Sequence, residues 1–246
     1  MDISYSEISK TYDNHRSYAE LHMEPLIKCA NLRDGMKILD VGCGTGNFAA
    51  RLREYITMEC IGMDISFKML QKAKTKFPDV LCADVSSGLP FGDRVFDAVV
   101  GSYFLHYIKN MRILFEDCFR ILKEDGPLLF LTSSHVQIEQ LHPVLKEFFP
   151  SLIERDKERF PDIPELDYYF TAAGFTGIRH EELTIDKIPI DMSYLDKVKN
   201  RFVSTFFLLP DEEFNDGLEK LETFILDNKE PLYREWRGTM ICGVKR

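Results

Sequence analysis

The nine residues Leu39-Asp40-Val41-Gly42-Cys43-Gly44-Thr45-Gly46-Asn47 set the tightest limit on what this chain can fold into. They read as a buried strand that ends in an acid and passes at once into a glycine-rich turn. Glycines at 42, 44 and 46 permit positive φ and let a ligand approach main-chain atoms that a Cβ would block. The turn reads as built around a ligand.

The segments that follow alternate between two patterns. Apolar runs at 37–41, 59–63, 80–83, 95–100 and 128–132 have the length and content of buried parallel strands, and helix-like segments at 48–55, 67–76 and 111–122 lie between them. This predicts a doubly wound, Rossmann-like α/β sheet, mostly parallel, with helices on both faces, right-handed crossovers and ligands at the carboxyl ends of its strands. Asp40, Asp64, Asp84 and Gly101-Ser102 each follow an apolar run, so four strand ends converge on one crevice.

Ahead of this core an amphipathic helix is expected over 18–32, interrupted at Pro25. Beyond residue 133 the alternation stops. A helical stretch is expected over 136–158, with Pro161 and Pro164 as punctuation, then a helix at 165–173 capped by Gly174 and a strand at 175–186. Helices at 193–207 and 212–228 precede a final strand at 234–244.

At 246 residues the chain suits one α/β domain with elaborations. The expected division is an N-terminal helical cap (1–33), a core (34–135) and helical elaborations at 136–175 and 190–229. No run of about 18 apolar residues marks a membrane span, and the polar, mixed-charge N-terminus is unlike a secretory signal or transit peptide, which points to the cytoplasm. A net charge of -9 opposes binding to a phosphate backbone, so nucleic acid is a disfavoured partner. The six cysteines, at 29, 43, 60, 82, 118 and 242, form no Cys-x-x-Cys pair. They are expected to be reduced thiols, with no metal site and with Cys43, in the turn, open to oxidation. Monomer and dimer both stay open.

LDVGCGTGNF, residues 39–48, resembles the first motif of the class I S-adenosylmethionine (SAM) dependent methyltransferases, of the small-molecule, type 11-like kind. A nicotinamide dinucleotide turn would read Gly-x-Gly-x-x-Gly, and Asn47 stands where its third glycine would be. The resemblance implies a seven-stranded sheet with its last strand antiparallel, helical lid insertions, SAM as cofactor and S-adenosylhomocysteine as product.

It also implies roles for particular residues. Asp40 would lie near the methionine amino group, with the turn of Gly42, Cys43, Gly44 and Gly46 passing beneath the methionyl and ribose parts. Asp64, 18 residues beyond Gly46, would accept hydrogen bonds from ribose hydroxyls, with Ile65 beside it; that spacing alone suits a nicotinamide enzyme equally, and the alternative is an ordinary turn aspartate. Asp84 and the main chain of Val85 would receive the adenine, and Ser102 would face the methionyl part. Tyr12-Asp13-Asn14-His15-Arg16 resembles a segment that folds over the methionine end, where Arg16 would grip the carboxylate and Tyr5 and Tyr12 would exclude water.

His106 matches a histidine common in small-molecule members, either as a general base or as a support for its loop. His135 and His142 are weaker candidates of the same kind. The aromatics at 148, 149, 168–170, 202, 206 and 207 are core, or line a partly apolar acceptor pocket. The loop Ser102-Tyr103-Phe104-Leu105-His106 lacks the Asp-Pro-Pro-Tyr of amino-methylating nucleic-acid enzymes and the paired glutamates of protein arginine methyltransferases. The expectation is a methyltransferase acting on a small molecule. The alternatives are a non-catalytic SAM-binding protein and, further off, a nicotinamide-dependent oxidoreductase.

Overall fold

The computed structural model describes Tyr18, residues 21–228 and residues 230–246. The candidates Tyr5, Tyr12 and Arg16 lie outside them. One sheet contains β1 (Met36–Val41), β2 (Met58–Asp64), β3 (Val80–Cys82), β4 (Ala98–Ser102), β5 (Pro127–Thr132), β6 (Phe175–Pro189) and β7 (Tyr233–Lys245), in the order 3-2-1-4-5-7-6. β1 to β5 pair in parallel, whereas β7 runs antiparallel to both β5 and β6. The order reverses between β1 and β4, which opens a crevice above their carboxyl ends.

Side chains alternate across the sheet and both faces are covered, as a parallel sheet requires. Ile38, Ala98, Val100, Leu129 and Leu131 join one core with residues of α1 (Glu24–Cys29), α2 (Asn47–Leu52) and α3 (Phe67–Ala73). Leu39, Val41, Val99, Leu128 and Phe130 join the other with α4 (Met111–Ile121). At the C-terminus of α4 the buried Lys245 ammonium donates to the carbonyls of Phe119 and Leu122, 2.8 Å in each case. A cation there satisfies carbonyls that the helix leaves unpaired and suits its dipole.

Several expected elements differ in extent. Pro25 opens α1 instead of interrupting a longer helix, because the first turn needs no N–H from it. The stretch expected as one helix over 136–158 is divided into α5 (His135–Glu139), α6 (Pro143–Phe148) and α7 (Leu152–Arg159). Ser134 and Gln137 form a capping box at α5, and Pro143 opens α6, so local capping chemistry restarts the helix each time. α8 (Ile163–Ala173) begins with Pro164 in its first turn and ends at Gly174, φ 101°.

Between β6 and β7 the chain inserts α9 (Met192–Lys199), a short 3-10 turn (Ser204–Phe207) and α10 (Asp211–Asp227). With α6 and α7 they enclose a third core, in which Phe149, Phe202 and Phe206 are buried; Tyr168 is exposed. Cys29 and Cys242 are joined as a disulfide, which corrects the expectation of six thiols. Their separation of 213 residues left no local spacing to reveal the pair. No helix of the described residues is long and apolar enough to cross a membrane.

The last hairpin is longer than the sheet it joins. β5 pairs with β7 from Pro127 opposite Val244 to Thr132 opposite Thr239, but the β6–β7 ladder continues to Pro189 opposite Tyr233. Residues 233–238 therefore project past β5, held in the ladder by β6 alone. A register shift between Thr184 and Asp186 bends the hairpin where it leaves the sheet.

Candidate functional site

Asp40 stands next to the end of β1 and is 0% exposed. Neither of its carboxylate oxygens has a hydrogen-bond partner among the described residues. Burial, and secondarily the charge of Asp64, pushes its carboxyl up to about 8; the nearby Ala49 amide relieves this only in part and is not in hydrogen-bonding geometry. A buried acid with no donor is a polar deficit that a cation would fill.

The turn beyond β1 is held from below, Cys43 N–H donating to Met63 at 3.0 Å and Gly46 N–H to Cys43 at 2.8 Å. Its three glycines, all with positive φ, serve different ends. A Cβ on Gly42 would meet Phe104 at 2.5 Å and one on Gly46 would meet Phe77 at 2.8 Å, whereas one on Gly44 would have nothing within 4 Å. Gly42 and Gly46 thus admit protein side chains, and Gly44 alone faces open space. Cys43 is buried and its thiol is pushed well up, chiefly by desolvation, which corrects the expected sensitivity to oxidation.

Asp64, at the end of β2, is oriented by the backbone. Its Oδ2 accepts from Gly44 N–H at 2.9 Å and its Oδ1 from Ser66 N–H at 2.8 Å. Burial raises its carboxyl above the ordinary value, against the lowering effect of these amides. Beside it Ile65 is 53% exposed, as is Phe67 at 65%, so two large apolar side chains stand in solvent next to the acid. Asp84 caps a short 3-10 turn (Val85–Ser87) by accepting from Ser86 N–H at 2.8 Å. The acids of the first three strands therefore share one end of the sheet with Gly44.

Ser102 ends β4, and its hydroxyl lies 2.6 Å from that of Tyr18. The Tyr18 ring packs on Phe48 and Trp236, with centroids 5.5 and 6.2 Å away. Tyr103 follows with a left-handed φ of 51°, unusual for a non-glycine residue and costing about 1–2 kcal/mol. Its amide donates to Leu131 at 2.8 Å and its ring lies 5.4 Å from Trp236. His106, 9% exposed, sits on a 3-10 turn (Leu105–Tyr107) with its ring stacked 4.2 Å from Phe160 at 20°.

Past the ends of β4 and β5 lies a cavity of about 420 Å³. Tyr103 and Ser133 line it from the sheet, Phe160 and Phe202 from the helical side, and Arg234 and Trp236 from the projecting part of β7. His142 also lines it; His135 instead bonds through Nε2 to the Phe160 carbonyl at 2.8 Å. Tyr18, Arg234 and Trp236 had no signal in motif spacing, since folding alone brings these chain ends together. Among the described residues no group of three or more histidines, cysteines and acids could hold a metal ion.

The chain is similar to known proteins in sequence and in fold. The model of a methyltransferase domain matches residues 39–130. The demethylmenaquinone methyltransferase of Staphylococcus aureus (strain JH9) is 28% identical over 221 residues, covering 78% of this chain and 92% of that protein. In fold, the chain is similar to an Anabaena variabilis protein assigned as a methyltransferase of an antibiotic biosynthesis pathway, with a TM-score of 0.67, 21% identity and coverage of 89% and 95%. It is also similar to a Haemonchus contortus phosphoethanolamine N-methyltransferase solved with S-adenosylhomocysteine, with a TM-score of 0.63, 17% identity and coverage of 98% of this chain and 57% of that one.

Proposed function

From the premise that this chain is a class I SAM-dependent methyltransferase, we propose that it methylates a small, partly apolar acceptor held in the cavity beyond β4 and β5. The observation that carries this reading is the cavity itself: its volume of about 420 Å³ suits a small molecule, and it begins at Tyr103, directly after Ser102.

SAM, when bound, supplies a methyl group already activated as a sulfonium substituent. The protein's share is to bind, align and exclude water. In our reading the unpaired carboxylate of Asp40 receives the cationic methionyl amine, and Gly44 leaves room for the ligand above the turn shaped by Gly42, Cys43 and Gly46. Asp64, already oriented by two amides, accepts from the ribose hydroxyls. Ile65 packs on the adenine, whose edge meets Asp84 and Val85, and Ser102 faces the methionyl part beside Tyr18. The family resemblance assigns the grip on the methionyl carboxylate to Arg16 and the exclusion of water to Tyr12, both outside the described residues. His106 is the candidate base, with support of its loop as its other role.

The division into cap, core and acceptor-side elaborations belongs to the same proposal, as does a cytoplasmic setting. The test is transfer of label from methyl-tritiated SAM into a cell extract resolved into small-molecule, protein and RNA fractions. Label in the small-molecule fraction is expected; label confined to protein or RNA would overturn the acceptor class. SAM binding without transfer would favour a non-catalytic binder. Turnover retained in His106→Ala would remove the base role.

A further inference from the structure

We infer that the acceptor carries an anionic oxygen group, received by Arg234 and His142 in an otherwise partly apolar cavity. This rests on the reading of that cavity as the acceptor site.

The cavity has apolar walls in Ile138, Leu141, Ile153, Phe160, Phe202 and Trp236, and four charged residues on its lining: Asp156, Arg234, Glu235 and Arg237. Their partners differ. Arg237 is committed to Glu235 at 2.6 Å and to Glu182 at 3.2 Å, so its charge is fully taken up by these two carboxylates. Asp156 accepts from the Thr205 hydroxyl, which in turn receives Arg159 at 3.0 Å, placing a second cation behind the acid.

Arg234 has no such balance. Its Nη1 donates to the Tyr194 phenol at 3.0 Å, its Nε is buried without a hydrogen-bond partner, and no carboxylate of the described residues forms an ion pair with it. A half-buried guanidinium whose one side-chain hydrogen bond among the described residues goes to a neutral phenol lacks, within them, the counter-charge that such cations ordinarily have.

His142 adds a second donor. Its Nδ1 accepts from Val144 N–H at 3.3 Å, which leaves the ring proton of the neutral form on Nε2. Burial first, and the Arg234 charge second, hold its imidazole below the ordinary value, so it is neutral near pH 7. With Nδ1 occupied, His142 offers a proton and cannot accept one there. A guanidinium and an Nε2–H donor together match an oxygen anion; a protonated amine would meet the like charge of Arg234 here.

Trp236 is the chain's one tryptophan and lines the cavity, so its emission reports occupancy directly. The full-length protein would be titrated with para-nitrobenzoate, para-nitrobenzamide and para-nitrobenzylamine, quenchers of one shape and three charges. The benzoate is expected to bind at least about tenfold more tightly than the amide, equivalent to about 1.4 kcal/mol, with the amine weakest. In Arg234→Gln that preference disappears while amide affinity stays within about twofold; in Arg234→Lys, which keeps the charge should the glutamine variant not fold, part of the preference survives. Equal binding of the three probes, a preference for the amide or amine, absence of quenching by any of them, or an undiminished benzoate preference in Arg234→Gln overturns the proposal. SAM affinity measured alongside by calorimetry separates the two levels: SAM bound without anion preference refutes this inference alone, and no SAM binding refutes the methyltransferase reading.

Discussion

The phenol of Tyr18 lies 2.6 Å from the Ser102 hydroxyl, which fastens a residue from before the first strand to the carboxyl end of β4. The same ring touches Phe48 on α2 and Trp236 on β7, so one side chain spans both sides of the crevice.

Tyr18→Phe keeps the ring and removes the bond. A stability loss of about 1 kcal/mol is expected, together with a modest weakening of SAM binding. Chemical denaturation and calorimetry read the two effects; an unchanged denaturation midpoint would mean that the pair contributes nothing to closure.

The glycines of the turn should separate by phenotype. Gly44→Val places a β-branched side chain at φ 53° in open space, so SAM affinity should fall at least about tenfold while the domain remains folded. Gly46→Ala instead drives a Cβ against Phe77 and should cost about 1–3 kcal/mol of stability. Asp64→Ala should resemble Gly44→Val. Normal SAM affinity in both Gly44→Val and Asp64→Ala would dissolve the proposed cofactor site.

Asp40 predicts a pH dependence of definite sign. Its carboxyl is held at about 8 in the folded chain, against about 3.9 when unfolded, so the folded form binds the proton more tightly. This group's contribution to stability is therefore greatest below about pH 4 and is lost progressively as the pH rises from about 4 to 8. Asp40→Asn should flatten that slope. Near pH 7, a methionyl ammonium placed beside Asp40 should ionise it and release up to about one proton. Calorimetry in buffers of different ionisation enthalpy measures the release, and a binding heat independent of buffer would exclude Asp40 from contact with the ligand.

Lys245→Met would leave the carbonyls of Phe119 and Leu122 without their shared ammonium. A loss of about 2 kcal/mol is expected, partly restored in Lys245→Arg. Equal stability of Lys245→Met and the parent protein would show that the two bonds only balance the desolvation of the cation.

The sheet was readable because its information is local. Ile38, Leu39 and Val41, like Leu128 to Leu131, are apolar, as buried parallel strands must be, and Asp40, Asp64 and Asp84 mark where three strands end. The helical elaborations were less legible: the 136–158 pattern showed helix but not its divisions, since Ser134 and Pro143 restart the helix by capping chemistry that apolar periodicity does not record. The Cys29–Cys242 pair and the meeting of Tyr18 with Trp236 join opposite ends of the chain, so no window of sequence contains either. At the turn the difference was finer still, because Gly42 and Gly46 look like Gly44 until Phe104 and Phe77 are packed against them.

The projecting end of the β6–β7 hairpin divides heritable constraint unequally. Residues 233–238 share a ladder with one strand only, yet Arg234 and Trp236 line the cavity. Trp236 is tied to the crevice through Tyr18 and Tyr103, whereas the Arg234 guanidinium bonds Tyr194 in the third core, so substitution at 234 leaves the turn at Gly44 and the acids of the first three strands in place. A lineage of such chains could therefore exchange one cargo for another by editing position 234, with the glycine-rich turn and the three strand-end acids left as they are.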